Sequence, residues 1–188
     1  MISDLITGKT YLDDVTCSSW EELVDIGAGL LIEQGSVEPA FIQSIKDTVK
    51  EFGPYMVVVD DLAFFHGRPE AGVKEISMSL VLLREPVYLE EKRIKAAIVF
   101  AAIDNKSHLE LMRELGGFLQ DEEFLSLLRN NGRKAAIMNK IQEGAQMELS
   151  ISNTATSYPN SLQGSLGKSR KISKRRQNIA QTRYAAGV

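Results

Sequence analysis

At 188 residues, 44% of them hydrophobic, the chain has the length for one well-packed domain with an appendage. A single cysteine, Cys17, excludes an internal disulfide framework and any zinc cluster built on paired thiols, and points to a reducing compartment. The net charge of -3 hides a division: from residue 148 to 188 seven Lys or Arg face one Glu, a net of +6, while residues 1–147 carry 15 basic and 24 acidic residues, a net of -9. No apolar run approaches the roughly 20 residues that span a bilayer. The start, MISDLITGKTYLDD, lacks the basic region and apolar core of a signal peptide, so a soluble, cytoplasmic protein is expected.

Taken in order, residues 1–17 hold no periodic run and read as a lead-in. Ser19 and Glu22 have the spacing of a capping box. Trp20, Leu23, Val24, Ile26, Leu30 and Leu31 follow at helical spacing, and Gly35 suits a C-terminal stop, which predicts a helix over 20–34. A second helix begins at Glu38-Pro39 and carries Phe41, Ile42, Ile45, Val49 and Phe52 up to Gly53-Pro54. Tyr55 to Val59 is β-branched and short, hence a strand, and Asp60-Asp61 turns it. Tandem aspartates can bind a divalent ion, but without further oxygen ligands a turn is the better reading and no metal is expected.

Leu62 to Phe65 is an apolar run ending in His66-Gly67-Arg68-Pro69. This pattern describes a buried strand that stops abruptly with an imidazole at its mouth, Gly67 allowing close approach or positive φ and Pro69 preventing continuation. It fits a nucleophile or proton carrier, and equally a partly exposed histidine that merely ends a strand. Ile76 to Leu83 alternates at first, which predicts a strand half-exposed at its start, buried at its finish, and ended by Glu85-Pro86. Lys92 to Lys95 is solvated, and Ala96 to Ile103 is continuously apolar, as in a central strand covered on both faces. Ser107 to Glu110 reads as another capping box, which puts His108 in the first turn of a helix carrying Leu109, Leu111, Met112, Leu115, Phe118 and Leu119. Residues 121–129 and 133–143 predict two further helices. Beyond Met147, Ser, Asn, Thr, Gln and Gly dominate and periodicity ends. The expected division is therefore a folded domain over 1–147 and a basic, disordered tail over 148–188. The tail's scattered cations do not read as a nucleic-acid site.

The two histidines stand 42 residues apart, with no His-Glu-x-x-His helix and no paired thiol, so they form no metal motif. The one Gly-Ser pair suited to a nucleophile elbow, Gly164-Ser165, lies in the tail. What remains is imidazole as the attacking group. With an ordinary pKa near 6.5, about 90% of a histidine is neutral at pH 7.5 and offers a nitrogen lone pair without a separate base. A helix start at Ser107 attracts an anion and disfavours protonation of His108, which can then donate a hydrogen bond to a phosphoryl oxygen; on spacing alone, a helix-start histidine without a role is the slightly better reading. Arg68 can add a charge-assisted contact, or be simply solvated.

The stretch LAFFHGRPEAGVKE, preceded by EFGPYMVVV and followed by AAIDNKSHLE, resembles the enzyme IIA proteins of the bacterial phosphoenolpyruvate-dependent sugar phosphotransferase system, fructose-mannitol group, and most of all the L-ascorbate branch. The resemblance runs from about Trp20 to Arg129. It implies an α/β fold with a mixed sheet of about five strands covered by helices on both faces. It implies that His66 accepts a phosphoryl group from the phosphocarrier HPr and passes it to a cysteine of enzyme IIB, serving the membrane enzyme IIC indirectly. It also implies that His108 stabilises the phosphorylated state, and that the carrier uses no cofactor. The chain departs from the family pattern in Phe65, where a proline is usual, in Asp60-Asp61, where a small pair is usual, and in its basic tail; the first two departures are expected to lie beside the site. They leave room for a different role, a regulatory module whose histidine phosphorylation controls a partner rather than transport.

Overall fold

The continuous apolar run at residues 96–101 forms part of the middle strand of a sheet. The computed structural model describes residues 2–155, and among them five strands form one sheet in the order β1-β4-β5-β3-β2. The strands are β1 (Tyr11–Val15), β2 (Val57–Val59), β3 (Asp61–His66), β4 (Ser77–Leu89) and β5 (Lys92–Ala101). The helices are α1 (Ile2–Leu5), α2 (Trp20–Gln34), α3 (Ala40–Phe52), α4 (Asn105–Phe118), α5 (Glu122–Arg129) and α6 (Lys134–Ala155). β3 runs parallel to β5, β1 runs parallel to β4, and the β4–β5 and β2–β3 pairs are antiparallel. The sheet is mixed, as expected.

Two cores lie on its two faces, because successive strand residues point to opposite sides. Ala97, Val99 and Ala101 of β5, with Ala63 and Phe65 of β3, pack on Leu23, Val24, Ala28 and Leu31 of α2 and on Phe41, Ile45 and Val49 of α3. Ala96, Ile98 and Phe100, with Leu62 and Phe64, pack under α1 and α4–α6 through Ile2, Leu111, Leu115, Phe124, Leu128 and Ile137. Each fully buried large apolar side chain here contributes about 1.5–3 kcal/mol relative to exposure. α2 occupies the expected span, with Ser19 accepting from the Glu22 amide and Gly35 at φ 85°. The reciprocal half of its box is absent, since the Glu22 carboxylate accepts from the Ser18 amide and hydroxyl instead.

The expectations fail at five places. The lead-in contains α1 and β1, an edge strand whose YLDDV sequence exposes Asp13 and Asp14 and so lacks an alternating signature. Gly53–Met56 is a 3₁₀ turn, which leaves only Val57–Val59 as strand. β4 passes through Glu85-Pro86 to Leu89: Leu82 pairs Ala96 and Val87 pairs Ile94, so Leu83–Pro86 bulge out opposite Lys95, whose ammonium donates to the Arg84 carbonyl. A bulge is where a proline without an N–H is tolerated. At the other end of β4, Ser77 and Ser79 are buried rather than half-exposed, and Ser79 Oγ donates to the Gly27 carbonyl of α2 at 2.7 Å. α6 runs to Ala155, past the expected boundary at 147. The rest of the expected disordered tail, 156–188, lies outside the described residues.

Candidate functional site

β3 and β5 run parallel and end together, and the crevice beyond the carboxyl ends of parallel strands is where open α/β sheets place their chemistry. His66 is the last residue of β3, in register with Phe100, and Ala101 ends β5 just before α4. Strand alternation fixes where the ring goes. Leu62 and Phe64 face α4–α6, so His66 faces that side too, while Phe65 points to the opposite core, fully buried with its ring 6.4 Å from that of Trp20.

The two histidines expected to act together do meet. The His66 ring stacks on Phe100 at 5.0 Å and 25°, and meets His108 edge-on at 4.9 Å and 64°; Phe100 and His108 stand 5.5 Å apart. His66 Nδ1 lies 3.3 Å from the Phe64 carbonyl. A carbonyl only accepts, so this contact puts the proton on Nδ1 and leaves the lone pair on Nε2. Burial, then the proximity of His108, lowers the His66 pKa below its ordinary value, against a smaller raising effect of the Phe64 carbonyl. His108 is also lowered, by burial. Both rings are therefore neutral at pH 7, the state a nucleophile and a neutral hydrogen-bond donor require. Ile103, on the loop before α4, and Leu109, next to His108 in the chain, are both exposed.

The start of α4 differs from the sequence reading. Its N-cap is Asp104, not Ser107: Asp104 Oδ1 accepts from the Ser107 amide at 2.7 Å, and Ser107 Oγ closes the box with the Asp104 amide at 3.2 Å. These bonds hold the Asp104 carboxyl below the usual carboxylate range. A carboxylate thus already occupies the positive end of the helix, and burial lowers the His108 pKa. His108 stays in the first turn, its amide bonded to the Asp104 carbonyl at 3.0 Å.

After His66 the chain is fastened to α3. A Cβ on Gly67 would lie 2.8 Å from Phe41 Cε2 and 3.0 Å from Ser44 Oγ, so the glycine serves close approach rather than positive φ. The Arg68 amide donates to Ser44 Oγ at 2.8 Å, and its guanidinium donates to Glu51 Oε2 at 2.9 Å. Farther along, the Glu38 amide donates to the Gly72 carbonyl and the Lys74 amide to the Ser36 carbonyl, tying the loop to the α2–α3 junction. Arg68 is thus engaged by α3, on the opposite sheet face from the imidazole pair.

Asp60-Asp61 does not border the site. Asp61, at φ 73°, begins β3 and is bound by both Arg93 Nε at 2.6 Å and Arg93 Nη2 at 2.9 Å. Five strand steps, about 16 Å, separate it from His66. The expectation that this departure adds charge beside the site is corrected by that separation. Among the described residues no group of three His, Cys, Asp or Glu is placed to hold a metal ion, and no helix is long and apolar enough to cross a membrane.

Phe100, Ser44 and Glu51 are the site's additions to the sequence reading. Phe100 carries a signal, being the one aromatic in the central apolar run. Ser44 and Glu51 carry none, because they meet the His66 segment only through the packing of α3.

A mixed sheet with an imidazole pair at the carboxyl ends of parallel strands has the arrangement that a histidine phosphotransferase needs. Residues 5–144 match the family model of the phosphoenolpyruvate-dependent sugar phosphotransferase system, EIIA 2, and the chain belongs to this family. It is a phosphotransferase component that carries phosphate as phosphohistidine. The chain is 39% identical over 129 residues to the ascorbate-specific PTS system EIIA component of Escherichia coli, covering 66% of this chain and 84% of that one. Its counterpart in Salmonella typhimurium is 38% identical over 116 residues, covering 60% and 75%. Among solved structures, the mannitol-specific cryptic phosphotransferase enzyme IIA of Escherichia coli superposes with a TM-score of 0.64 at 28% identity, covering 76% of this chain and 96% of that one. The fold is shared as well with the mannitol enzyme IIA of Escherichia coli in its complex with phosphorylated enzyme IIB, at a TM-score of 0.65 and 20% identity over 74% and 99% of the two chains.

Proposed function

We propose that His66 is the phosphoryl acceptor of a cytoplasmic sugar phosphocarrier, with Nε2 as the attacking atom. The observation that carries this reading is the contact of Nδ1 with the Phe64 carbonyl beside a second neutral imidazole. The Nε2 lone pair forms the new N–P bond as the N–P bond of the donor phosphohistidine on HPr breaks, its electron pair returning to the donor ring. His66 Nδ1 keeps its proton and its carbonyl. In the second transfer an enzyme IIB thiolate attacks phosphorus and the pair returns to Nε2. His108 stabilises the phosphoryl oxygens by hydrogen bonding, and Arg68 adds a charge-assisted contact once the group is in place.

The exposed Ile103 and Leu109, near His108 in the chain, offer both partners an apolar footing, and the acidic balance of residues 1–147 favours basic partner faces. The ascorbate-specific names of the relatives support L-ascorbate as the sugar, taken up through the membrane enzyme IIC. Incubation with phosphoenolpyruvate, enzyme I and HPr should add one acid-labile, base-stable phosphoryl group, read by intact mass. The same addition in His66→Ala would overturn the assignment.

A further inference from the structure

We infer that Glu51 is a positioning residue: it holds the Arg68 guanidinium along α3 while His66 is bare, and yields it to the phosphoryl group when His66 is charged. This rests on the function proposed for His66.

The restraint has two anchors on one stripe of α3. The Arg68 amide is fixed to Ser44 Oγ, and the guanidinium reaches Glu51, seven residues and about 10 Å farther along the helix. That direction leads away from the site. α3 ends at Gly53, where a Cβ would lie 3.6 Å from Glu90 in the β4–β5 turn, at the end of the sheet opposite His66. The imidazole meanwhile faces α4, across the sheet from α3. A guanidinium two residues from the nucleophile is therefore stored off the ring by a carboxylate.

The store is shallow. Side-chain exposures of 68% for Arg68 and 53% for Glu51 put the ion pair in water, where it is weak. A phosphoryl group on His66 carries more charge than a carboxylate, and Arg68 can turn to it by side-chain rotation alone, because the backbone clamp to Ser44 does not depend on the guanidinium. Glu51 is then left without its partner, which raises the free energy of the charged carrier and favours onward transfer. Arg68 alone would trap the phosphoryl group; the Glu51 counter-charge keeps it transferable.

The experiment measures loss of the His66 phosphoryl group in purified full-length protein by intact mass, alone and on mixing with enzyme IIB, for wild type, Glu51→Gln, Glu51→Asp, Arg68→Ala and the Arg68→Ala/Glu51→Gln pair. Glu51→Gln should lengthen the phosphohistidine lifetime and slow onward transfer about two- to fivefold, Glu51→Asp should restore wild-type behaviour, and Glu51→Gln should have no effect when Arg68 is alanine. An unchanged lifetime in Glu51→Gln overturns the inference. So does an equal change with and without Arg68, which would mean that Glu51 acts on the phosphoryl group directly. A wild-type protein that takes no phosphoryl group fails at the earlier step and overturns the function itself.

Discussion

His66 and His108 meet edge to face, ring centroids 4.9 Å apart, with Phe100 closing the third side. Two imidazoles this close cannot both be charged cheaply, and burial already disfavours charge on each. The folded protein therefore binds fewer protons here than the unfolded chain, whose histidines titrate near 6.5. With more protons on the unfolded side, stability rises with pH through this region and falls as pH drops below about 6.5. Imidazole NMR should place the His66 midpoint below that value. His108→Ala should move the midpoint up, since it removes both the neighbouring charge and part of the cover. A midpoint unmoved by His108→Ala would mean that the rings do not interact.

Hydrogen-bond donation by His108 to the transferring phosphoryl group sets a second expectation. Removing one such donor typically costs about 10²-fold or more in rate. His108→Ala should slow phosphorylation of His66 by about that factor with the fold intact, and His108→Gln, which restores an N–H donor, should recover part of it. Rapid-quench measurement with phosphorylated HPr distinguishes this from a packing role, for which alanine and glutamine would be equally slow.

What the sequence made legible is what local chemistry decides. Ser19 and Gly35 bracket α2, the Gly53-Pro54 pair ends α3, and the apolar run before His66 forms a strand that stops there. Where local signals competed, the sheet decided. Pro86 ends a strand in isolation, yet β4 continues because a bulge absorbs it and Lys95 serves the Arg84 carbonyl. Asp104 and Ser107 are both plausible caps, and the length of β5 selects the first. The pairing of His66 with His108 became legible through the family resemblance. The engagement of Arg68 by Ser44 and Glu51 did not, since no sequence spacing brings α3 against the loop after β3.

Gly67 tests how tightly the nucleophile is placed. An added Cβ would meet Phe41, which is fully buried and cannot yield, so the backbone beside His66 must shift. Gly67→Ala should destabilise the protein by about 1–3 kcal/mol and also slow phosphorylation. Gly29 is the internal control, a helical glycine with open space at its Cβ position. Gly29→Ala should leave phosphorylation unchanged and stabilise by about 0.5–1 kcal/mol. Urea unfolding and phosphoryl incorporation on the same samples separate the two effects.

Asp61 separates stability from chemistry in the opposite sense. Its positive φ suits Asp or Asn better than other non-glycine residues, and its nearly buried carboxylate takes both arms of Arg93, with Arg129 Nε 3.9 Å away. Asp61→Asn keeps the backbone preference and loses the charge, while Asp61→Ala loses both. Thermal midpoints should therefore fall in the order wild type, Asn, Ala. Phosphorylation of His66 should be unaffected in either variant below its unfolding temperature, because the whole length of β3 lies between the two residues. A faster or slower phosphoryl transfer in Asp61→Asn, with the fold intact, would show that charge at the start of the strand is felt at its end, and that the departure from the family's small pair tunes the site after all.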